Sequence, residues 1–347
     1  MHKRLTWMLL MLMALLVFVG CSDDDDPAAP PAATNFETIA EAVEAYLPVV
    51  GTSYIKAVDL NPMVNADPPT TVVFDIRNAD YYASGHIKGA ISTTLADIVT
   101  AVEAEGLAKT DHLVIACDTG QVAGHAVLAL RLLGYENAKT LKFGMSSWND
   151  KGTGPRWTEP VAPATTSGSC KDDLAPTNIE VTENALGDDD LQDYPTGQKT
   201  LRDAVLDMLA AGFQKTTMGD VNLAGNMDTY FWLNYVPMDD YTDQGVTPGH
   251  VKGAYQFSPN GSNDIDRNLK MKYLPTDGTT ILVYCYTGQG SSQAVAALNV
   301  LGYKAKSVKF GYNHLFYNNV GYTAGSKWKD TMCGDYPLYN NDGILIP

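Results

Sequence analysis

Two cysteines stand where a thiol could act as a nucleophile. Cys117 directly follows the apolar run Leu113–Ala116, and Cys285 follows a similar run at 280–284. Each begins a short, glycine-containing loop that leads into a stretch with helical spacing. Backbone N–H groups of such a loop, with the positive end of the helix dipole, favour a thiolate over a thiol. We therefore expect an anion-binding loop with an activated cysteine in two places.

The residues after each cysteine form the predicted substrate-binding loops. Gly120 and Gly288 permit backbone angles that a side chain would resist. Ser291 and Ser292 can add hydroxyl donors, whereas the matching positions of the first loop carry no hydroxyl. The loop residues are Asp118, Thr119, Gly120, Gln121 and Val122 in the first copy, and Tyr286, Thr287, Gly288, Gln289, Gly290 and Ser291 in the second.

The two loops differ in charge. Asp118 places a carboxylate beside Cys117, which should raise the pKa of that thiol and repel an anionic substrate. The matching residue of the second loop is the uncharged Tyr286. We therefore predict that Cys285 is the main nucleophile and that Cys117 is a secondary or vestigial one.

Both loops belong to a unit that occurs twice in the chain. GHIKGA, which begins at Gly85, recurs as GHVKGA from Gly249, and CDTGQ at Cys117 recurs as CYTGQ at Cys285. LLGY and KFG follow in the first copy, and VLGY and KFG follow in the second at nearly the same spacing. Such a repeat implies two similar domains, in which matching positions have matching roles.

The pattern of apolar residues predicts the elements that hold the loops. Short β-branched and aromatic runs, typical of buried strands, alternate with stretches of helical spacing. This alternation predicts an α/β fold in which each domain is a mostly parallel sheet flanked by helices. In the first unit we predict helices at 39–46 and 123–133 and strands at 71–75, 113–116 and 139–143; in the second we predict a strand at 280–284 and a helix at 292–301.

Length and composition suggest the domain organisation. With 347 residues, of which 45% are hydrophobic, the chain can form about two domains with their own cores. A segment rich in Pro, Thr, Gly and Asp has the composition of a linker. The predicted organisation is a signal peptide at 1–20, an acidic and Pro/Ala-rich tether at 21–35, a first domain at 36–157, the linker at 158–198, a second domain at 199–335 and a C-terminal tail at 336–347.

Charge and histidine spacing exclude some partners. The net charge of −16 argues against nucleic-acid binding, because phosphate backbones are bound by clustered Lys and Arg. The six histidines show no spacing typical of a metal site, and no cysteine pair is close enough for a zinc site. We predict a monomer that binds no metal.

The N-terminus predicts export and lipid attachment. Residues 1–20 combine a basic start with a short apolar run, as in secretory signals, and end in Phe-Val-Gly before Cys21. This ending resembles a bacterial lipobox, whose cysteine is lipidated and becomes the mature N-terminus. The resemblance implies a lipoprotein of the bacterial cell envelope that faces the periplasm and contacts the membrane only through its lipid anchor. The alternative is an ordinary signal peptide followed by a chance cysteine.

Several motifs resemble the rhodanese family of sulfurtransferases across nearly all of both units. Asp75-Ile-Arg77, Tyr82 and the segment 85–90 match that family's pattern after its first buried strand, and the loop cysteines and glycines match its active loop. The sequence departs from the family in two respects. Neither loop contains the Arg or Lys that many members carry, and the second unit lacks the Asp-x-Arg pattern.

The resemblance implies a double-displacement reaction without a cofactor. The thiolate of Cys285 would take the outer sulfur of a small anionic donor such as thiosulfate, become a persulfide, and pass the sulfur to a thiol or cyanide-like acceptor. N–H donors at a helix N-terminus suit this chemistry because the nucleophile and the departing group are both anionic. Arg77 is expected to brace the fold through an ion pair.

Three other interpretations of the cysteine loops are alternatives to sulfur transfer. A cysteine-loop phosphatase needs an arginine six positions after its cysteine to hold phosphate, but those positions are Ala123 and Ser291. A non-catalytic sulfur carrier or partner-binding module of the envelope predicts a stable persulfide at Cys285 without repeated turnover. Each loop cysteine could also be an inert core residue at the end of a strand.

The remaining cysteines suggest a disulfide. Cys170 and Cys333 lie 53 and 48 residues after their loop cysteines, and thiols of an oxidising compartment tend to be paired. A bond between them would tie the linker to the C-terminal segment. Sequence alone leaves open whether the two residues come close enough to bond.

Other polar and aromatic side chains are assigned structural roles. His86 and His250 lie in glycine-flanked turns and are expected to hydrogen-bond the backbone. His125, on the helix after the first loop, is expected to face solvent. Trp148 and Trp328 are expected to be core or lid aromatics.

Overall fold

The computed structural model describes residues 35–47, 52–149, 151, 157, 174–175, 199–217, 229–237, 250–251, 253–257, 271–315 and 327–346. The predicted signal peptide, the lipidation residue Cys21 and Cys170 lie outside the described residues, as does nearly all of the predicted linker. None of the described helices is long and apolar enough to cross a bilayer.

The first domain is built on a five-stranded sheet whose strand pairs are all parallel. Its strands are β1 (Tyr54–Ile55), β2 (Val72–Asp75), β3 (Ile91–Ser92), β4 (Leu113–Ala116) and β5 (Ala138–Leu141). Its helices are α1 (Asn35–Tyr46), α2 (Ala57–Asn65), α3 (Ala79–Ser84), α4 (Ile98–Ala104), α5 (Gln121–Leu132) and α6 (Met145–Trp148). The order β1-β5-β4-β2-β3 places β4, which leads into Cys117, at the centre of the sheet.

Both faces of this sheet are buried, which explains the continuous apolar run of β4. Leu113 and Ile115 belong to a core that includes α1 and α5, whereas Val114 and Ala116 belong to a core on the opposite face that includes α2. Alternate residues of a strand point to opposite faces, so a strand covered on both sides has no solvent-facing position. The predicted α/β fold with a parallel sheet flanked by helices is confirmed.

The second domain repeats this architecture. The strands that follow in the chain are β6 (Leu174–Ala175), β7 (Lys215–Thr216), β8 (Phe231–Tyr235), β9 (His250–Val251), β10 (Tyr255–Phe257), β11 (Ile281–Tyr284) and β12 (Ala305–Val308). The helices are α7 (Leu201–Ala210), α8 (Gln289–Val300) and α9 (Tyr312–Leu315). Five strands form a parallel sheet in the order β7-β12-β11-β8-β10, and each strand is equivalent to the strand at the same place in the first sheet, β1-β5-β4-β2-β3. Strands β6 and β9 form a separate antiparallel ribbon.

The two domains share one hydrophobic core. Helix α5 packs against α8, and buried residues of both sheets join the same apolar cluster. The helices approach closely at Gly124, where an added side chain would run into Ser292 Oγ and lie 3.0 Å from Gln289 O. Because a glycine on one helix faces a small residue on the other, the two helix backbones can come this near.

The prediction that His125 faces solvent is wrong, because the domain interface covers this face of α5. The side chain is 0% exposed, its Nδ1 lies 3.4 Å from Ser292 O, and its ring contacts Phe213 with centroids 5.5 Å apart. Burial lowers the pKa of His125 to about 4. The residue is therefore a neutral histidine inside the contact between the domains.

The C-terminal segment returns to the first domain. Strands β13 (Leu338–Tyr339) and β14 (Leu345–Ile346) form an antiparallel hairpin. The indole N–H of Trp148 donates to Pro337 O at 3.0 Å, and Leu338 packs in the core beside Trp148. His86 and Tyr339 also exchange backbone hydrogen bonds. Residues of the predicted tail thus pack on the first domain, although they follow the second in sequence.

The two predicted core tryptophans are buried, with Trp148 1% and Trp328 4% exposed. Trp328 belongs to a cluster with Phe143, Trp157 and Phe310, one phenylalanine coming from each domain. Phe143 lies edge-on to Trp157, with ring centroids 5.1 Å apart. The prediction of core aromatics is confirmed.

Of the two cysteines suggested to form a disulfide, the structure describes only Cys333. Cys333 is a free, half-buried cysteine. Its predicted partner Cys170 lies outside the described residues, so the pairing stays a prediction for the oxidised protein.

Candidate active site

Cys117 lies at the carboxyl end of β4, in the loop that leads into α5. Its Sγ accepts hydrogen bonds from the backbone N–H groups of Gly120, at 3.1 Å, and Ala123, at 3.3 Å. Gly120 has a φ of 79°, in the left-handed region, where a side chain would be strained. Amides of the loop and of the helix N-terminus thus point at the sulfur, as the sequence predicts.

Burial nevertheless disfavours ionisation of this thiol. Cys117 is 3% exposed, and burial raises its pKa to about 11 despite the amide hydrogen bonds. Asp118 raises the pKa in the predicted direction, but less than burial does, and burial also raises the pKa of Asp118 itself. The neutral thiol form of Cys117 is therefore favoured at neutral pH.

Cys285 occupies the same place between β11 and α8. Its Sγ accepts a hydrogen bond from the backbone N–H of Ser291 at 3.2 Å and lies 3.7 Å from Ser291 Oγ. That hydroxyl is held by Ser307 Oγ, which is 2.8 Å away. The prediction of a second donor at Ser292 is wrong, because its hydroxyl donates to Gln289 O on the same helix.

A Lys-Phe-Gly turn braces each cysteine loop from the neighbouring strand. After β12 the backbone N–H of Tyr312 donates to Cys285 O at 2.8 Å, and after β5 the equivalent N–H donates to Cys117 O at 2.8 Å. A side chain at Gly311 or Gly144 would overlap with that carbonyl oxygen. The sequence shows that KFG occurs in both repeats, but the repeat alone does not predict that the turn holds the cysteine loop.

The glutamine of each loop reaches across the domain interface. Gln289 Oε1 accepts a hydrogen bond from the Phe143 N–H at 2.9 Å, and Gln121 Oε1 accepts one from the Phe310 N–H at 3.0 Å. Both phenylalanines have a φ of 64°, a conformation that non-glycine residues rarely adopt. The sequence predicts both glutamines in substrate-binding loops, whereas the structure places their amides against the backbone of the opposite domain.

A family model for the rhodanese-like domain matches residues 57–151 and 228–326, so that each match contains one of the two cysteine loops. This chain belongs to the rhodanese-like domain family. The two rhodanese-like domains account for the repeat and for the common strand order of the two sheets.

Solved structures similar to this chain include domains and tandem proteins. A rhodanese-like domain from Anabaena sp. has 26% identity and a TM-score of 0.24, covering 27% of this chain and 70% of that one. Thiosulfate sulfurtransferase from Pseudomonas aeruginosa has 16% identity and a TM-score of 0.30, covering 84% and 49%. A 3-mercaptopyruvate sulfurtransferase from Escherichia coli has 18% identity and a TM-score of 0.27, covering 75% and 98%. No curated protein matches this chain.

The first rhodanese-like domain supplies a phenol beside the second cysteine loop. Tyr54 OH accepts a hydrogen bond from Gln293 Nε2 at 3.0 Å. A side chain built on Gly290 would have its Cβ 3.4 Å from Cys285 Sγ and 3.9 Å from Tyr54 OH, so both groups border the same glycine. Burial raises the pKa of Tyr54, and the nearby Cys285 raises it further. Tyr54 was missed from the sequence because it sits far from the loop in the other repeat.

Arg77 braces the first rhodanese-like domain, as predicted. Its Nη2 lies 2.6 Å from Asp75 Oδ2 and donates to Gly85 O at 2.8 Å. The neighbouring His86 has its Nδ1 3.0 Å from Tyr82 O and stacks on the Tyr82 ring. These contacts confirm the predicted ion pair of Arg77 and the predicted backbone hydrogen bond of His86.

The other predicted loop residues support the loops from within. Thr287 Oγ1 accepts from the Gln289 N–H at 3.3 Å, and Thr119 Oγ1 accepts from Gln121 Nε2 at 3.2 Å. Tyr286 packs edge-on against Tyr312, and Val122 packs against the shared core. In the part of the chain that the structure describes, no three His, Cys, Asp or Glu side chains are grouped as metal ligands.

Replacing Gln289 with leucine is expected to lower the free energy of unfolding by about 1–3 kcal/mol, because a buried backbone N–H loses its acceptor. Gln121→Leu should have a similar effect from the other side of the interface. Urea unfolding measures both, with Gln214→Leu as the control, since the Gln214 side-chain amide donates only to the Ala211 and Gly212 carbonyls of its own turn. Equal unfolding midpoints for Gln289→Leu and Gln214→Leu would show that the hydrogen bond of Gln289 across the domain interface does not stabilise the protein.

Proposed function

We propose that this protein is a sulfurtransferase that carries sulfane sulfur as a persulfide on Cys285, taking it from a small anionic donor such as thiosulfate. The observation that carries the proposal is the hydrogen bond from the Ser291 N–H to Cys285 Sγ at the N-terminus of α8. An amide donor and a helix dipole directed at a sulfur stabilise negative charge on it. Cys117 has a secondary role, because its pKa of about 11 leaves little thiolate.

The proposed reaction consists of two displacements. The Cys285 thiolate attacks the outer sulfur of thiosulfate, a sulfur–sulfur bond forms, and the old sulfur–sulfur bond breaks with its electron pair leaving on sulfite. The acceptor, a thiolate or cyanide, then attacks the outer sulfur of the persulfide and the Cys285 thiolate leaves. The Ser291 N–H and the Ser291 hydroxyl stabilise the anionic sulfur in both steps.

Cys285→Ala is expected to reduce thiosulfate–cyanide sulfur transfer by about a hundredfold or more, whereas Cys117→Ala should retain most of it. Mass spectrometry after thiosulfate treatment should locate one added sulfur atom on the peptide that contains Cys285. A Cys285→Ala protein that keeps most of the wild-type rate would refute the assignment.

A non-catalytic sulfur carrier or partner-binding module is the second candidate, and the burial of both thiols favours it. Cys285 is 5% exposed and Cys117 3% exposed, so access to either sulfur is restricted. A carrier would form the persulfide on Cys285 once and hold it when cyanide is added. A sulfurtransferase would release thiocyanate over many turnovers, and the same assay therefore separates the two candidates.

We also propose that the protein is exported and lipidated at Cys21, on the strength of its N-terminal sequence. Cys21→Ser should then move the protein from the detergent phase to the aqueous phase in Triton X-114 partitioning of bacterial cells. Partitioning of the wild type into the aqueous phase would refute the anchor.

A further inference from the structure

A cavity of about 350 Å³ lies between the first rhodanese-like domain and the C-terminal segment. Its lining includes Lys56 and Lys142, the residues that directly follow β1 and β5, together with residues 331–334 and Tyr336. Since β1 and β5 are parallel neighbours, their carboxyl ends meet at one edge of the sheet. Ligands of open α/β sheets bind at this edge.

The cavity is lined by positively charged residues, although the protein as a whole is strongly acidic. Among the described residues that line it, two are lysines and none is acidic, although the chain has a net charge of −16. Among the described residues, neither lysine forms an ion pair. Asp335 comes from the same C-terminal segment but does not line the cavity, and its carboxylate accepts from Asn149 Nδ2 at 3.3 Å. Two lysines thus line one space to which no described carboxylate contributes.

The charge of Lys56 opposes the ionisation of Lys142. The pKa of Lys142 is lowered first by burial and then by the charge of Lys56. An anion between the two ammonium groups would offset this repulsion. The remaining wall is largely apolar, with Ala57, Val58 and Met332 among its side chains.

We propose that this cavity is a binding site for a small organic anion, whose carboxylate or sulfonate lies between Lys56 and Lys142 and whose apolar part packs against Met332 and Tyr336. Its volume is in the range of small-molecule sites, about 300–1,000 Å³. The site is separate from both cysteine loops, and its occupancy does not depend on sulfur transfer at Cys285.

Cys333 lines the same cavity and provides a direct readout of its occupancy. The reduced full-length protein is treated with N-ethylmaleimide, a neutral reagent, and the adduct on the Cys333 peptide is followed by mass spectrometry. Benzoate at millimolar concentration is expected to slow this reaction about threefold, which corresponds to a concentration of about twice its Kd. Benzamide, the uncharged analogue, should slow it much less.

Lys56→Met/Lys142→Met should abolish the protection by benzoate while retaining the aliphatic volume of both side chains. Lys88→Met, which removes an exposed lysine of the same domain, should retain it. Unchanged thermal unfolding would show that the double methionine variant is folded. If that variant does not fold, Lys56→Arg/Lys142→Arg, which keeps both positive charges, should retain the protection by benzoate. No protection in the wild type, equal protection by benzamide, or equal protection in the folded methionine variant would each overturn the proposal.

Discussion

Gly311→Ala is expected to abolish sulfur transfer through Cys285 and to lower the free energy of unfolding by about 3 kcal/mol or more. Gly311 has a φ of 50°, and a methyl group there would overlap with Cys285 O and lie 2.8 Å from Cys285 C. The obstacle is backbone, held by the hydrogen bond from the Tyr312 N–H to Cys285 O. The loop must therefore move, and with it the position of the Cys285 sulfur relative to the Ser291 N–H.

Gly278→Ala is the matched control for this substitution. Gly278 lies in the same domain with a φ of 82°, but a methyl group there would meet nothing within 4 Å. It should cost only the backbone strain, about 1 kcal/mol, and leave sulfur transfer unchanged. Urea unfolding and the thiosulfate–cyanide assay measure both variants. If Gly311→Ala matched Gly278→Ala in stability and activity, the turn would not support the cysteine loop.

Acid is expected to destabilise the protein through His125. The folded-state pKa of about 4 lies below the ordinary value of 6.5, so the unfolded chain binds the proton more readily. The contribution of neutral His125 to the free energy of unfolding is fully present above pH 6.5 and is lost as the pH falls from 6.5 to 4. The difference corresponds to up to about 3 kcal/mol. Protonation would place a charge between α5 and α8, where His125 Nε2 has no hydrogen-bond partner among the described residues.

His125→Leu should flatten the decline in stability between pH 6.5 and 4, as measured by urea unfolding at a series of pH values. His112→Leu replaces an exposed histidine of the same domain and should leave the decline as it is in the wild type. An identical decline in the wild type and in His125→Leu would show that the buried imidazole does not govern acid stability.

The amino-acid sequence was sufficient for the local features of this protein. The apolar runs predict β4 and β11 to within one residue, because strands buried on both faces leave no polar position. The strand predicted at 139–143 ends earlier, at Leu141, because Phe143 adopts a φ of 64° that interrupts it. The two-residue β1 was missed, since two residues show no periodicity.

The tertiary structure alone decided which groups meet between the domains. Gln289 contacts Phe143, Tyr54 borders the Cys285 loop, and His125 is buried against α8, each pairing residues that are far apart in sequence. Periodicity shows that a helix has a buried face, but which partner covers it depends on how the two sheets pack. Likewise, the sequence was sufficient to predict a cysteine in an anion-binding loop, whereas burial, which raises the pKa of Cys117 to about 11, is a property of the assembled fold.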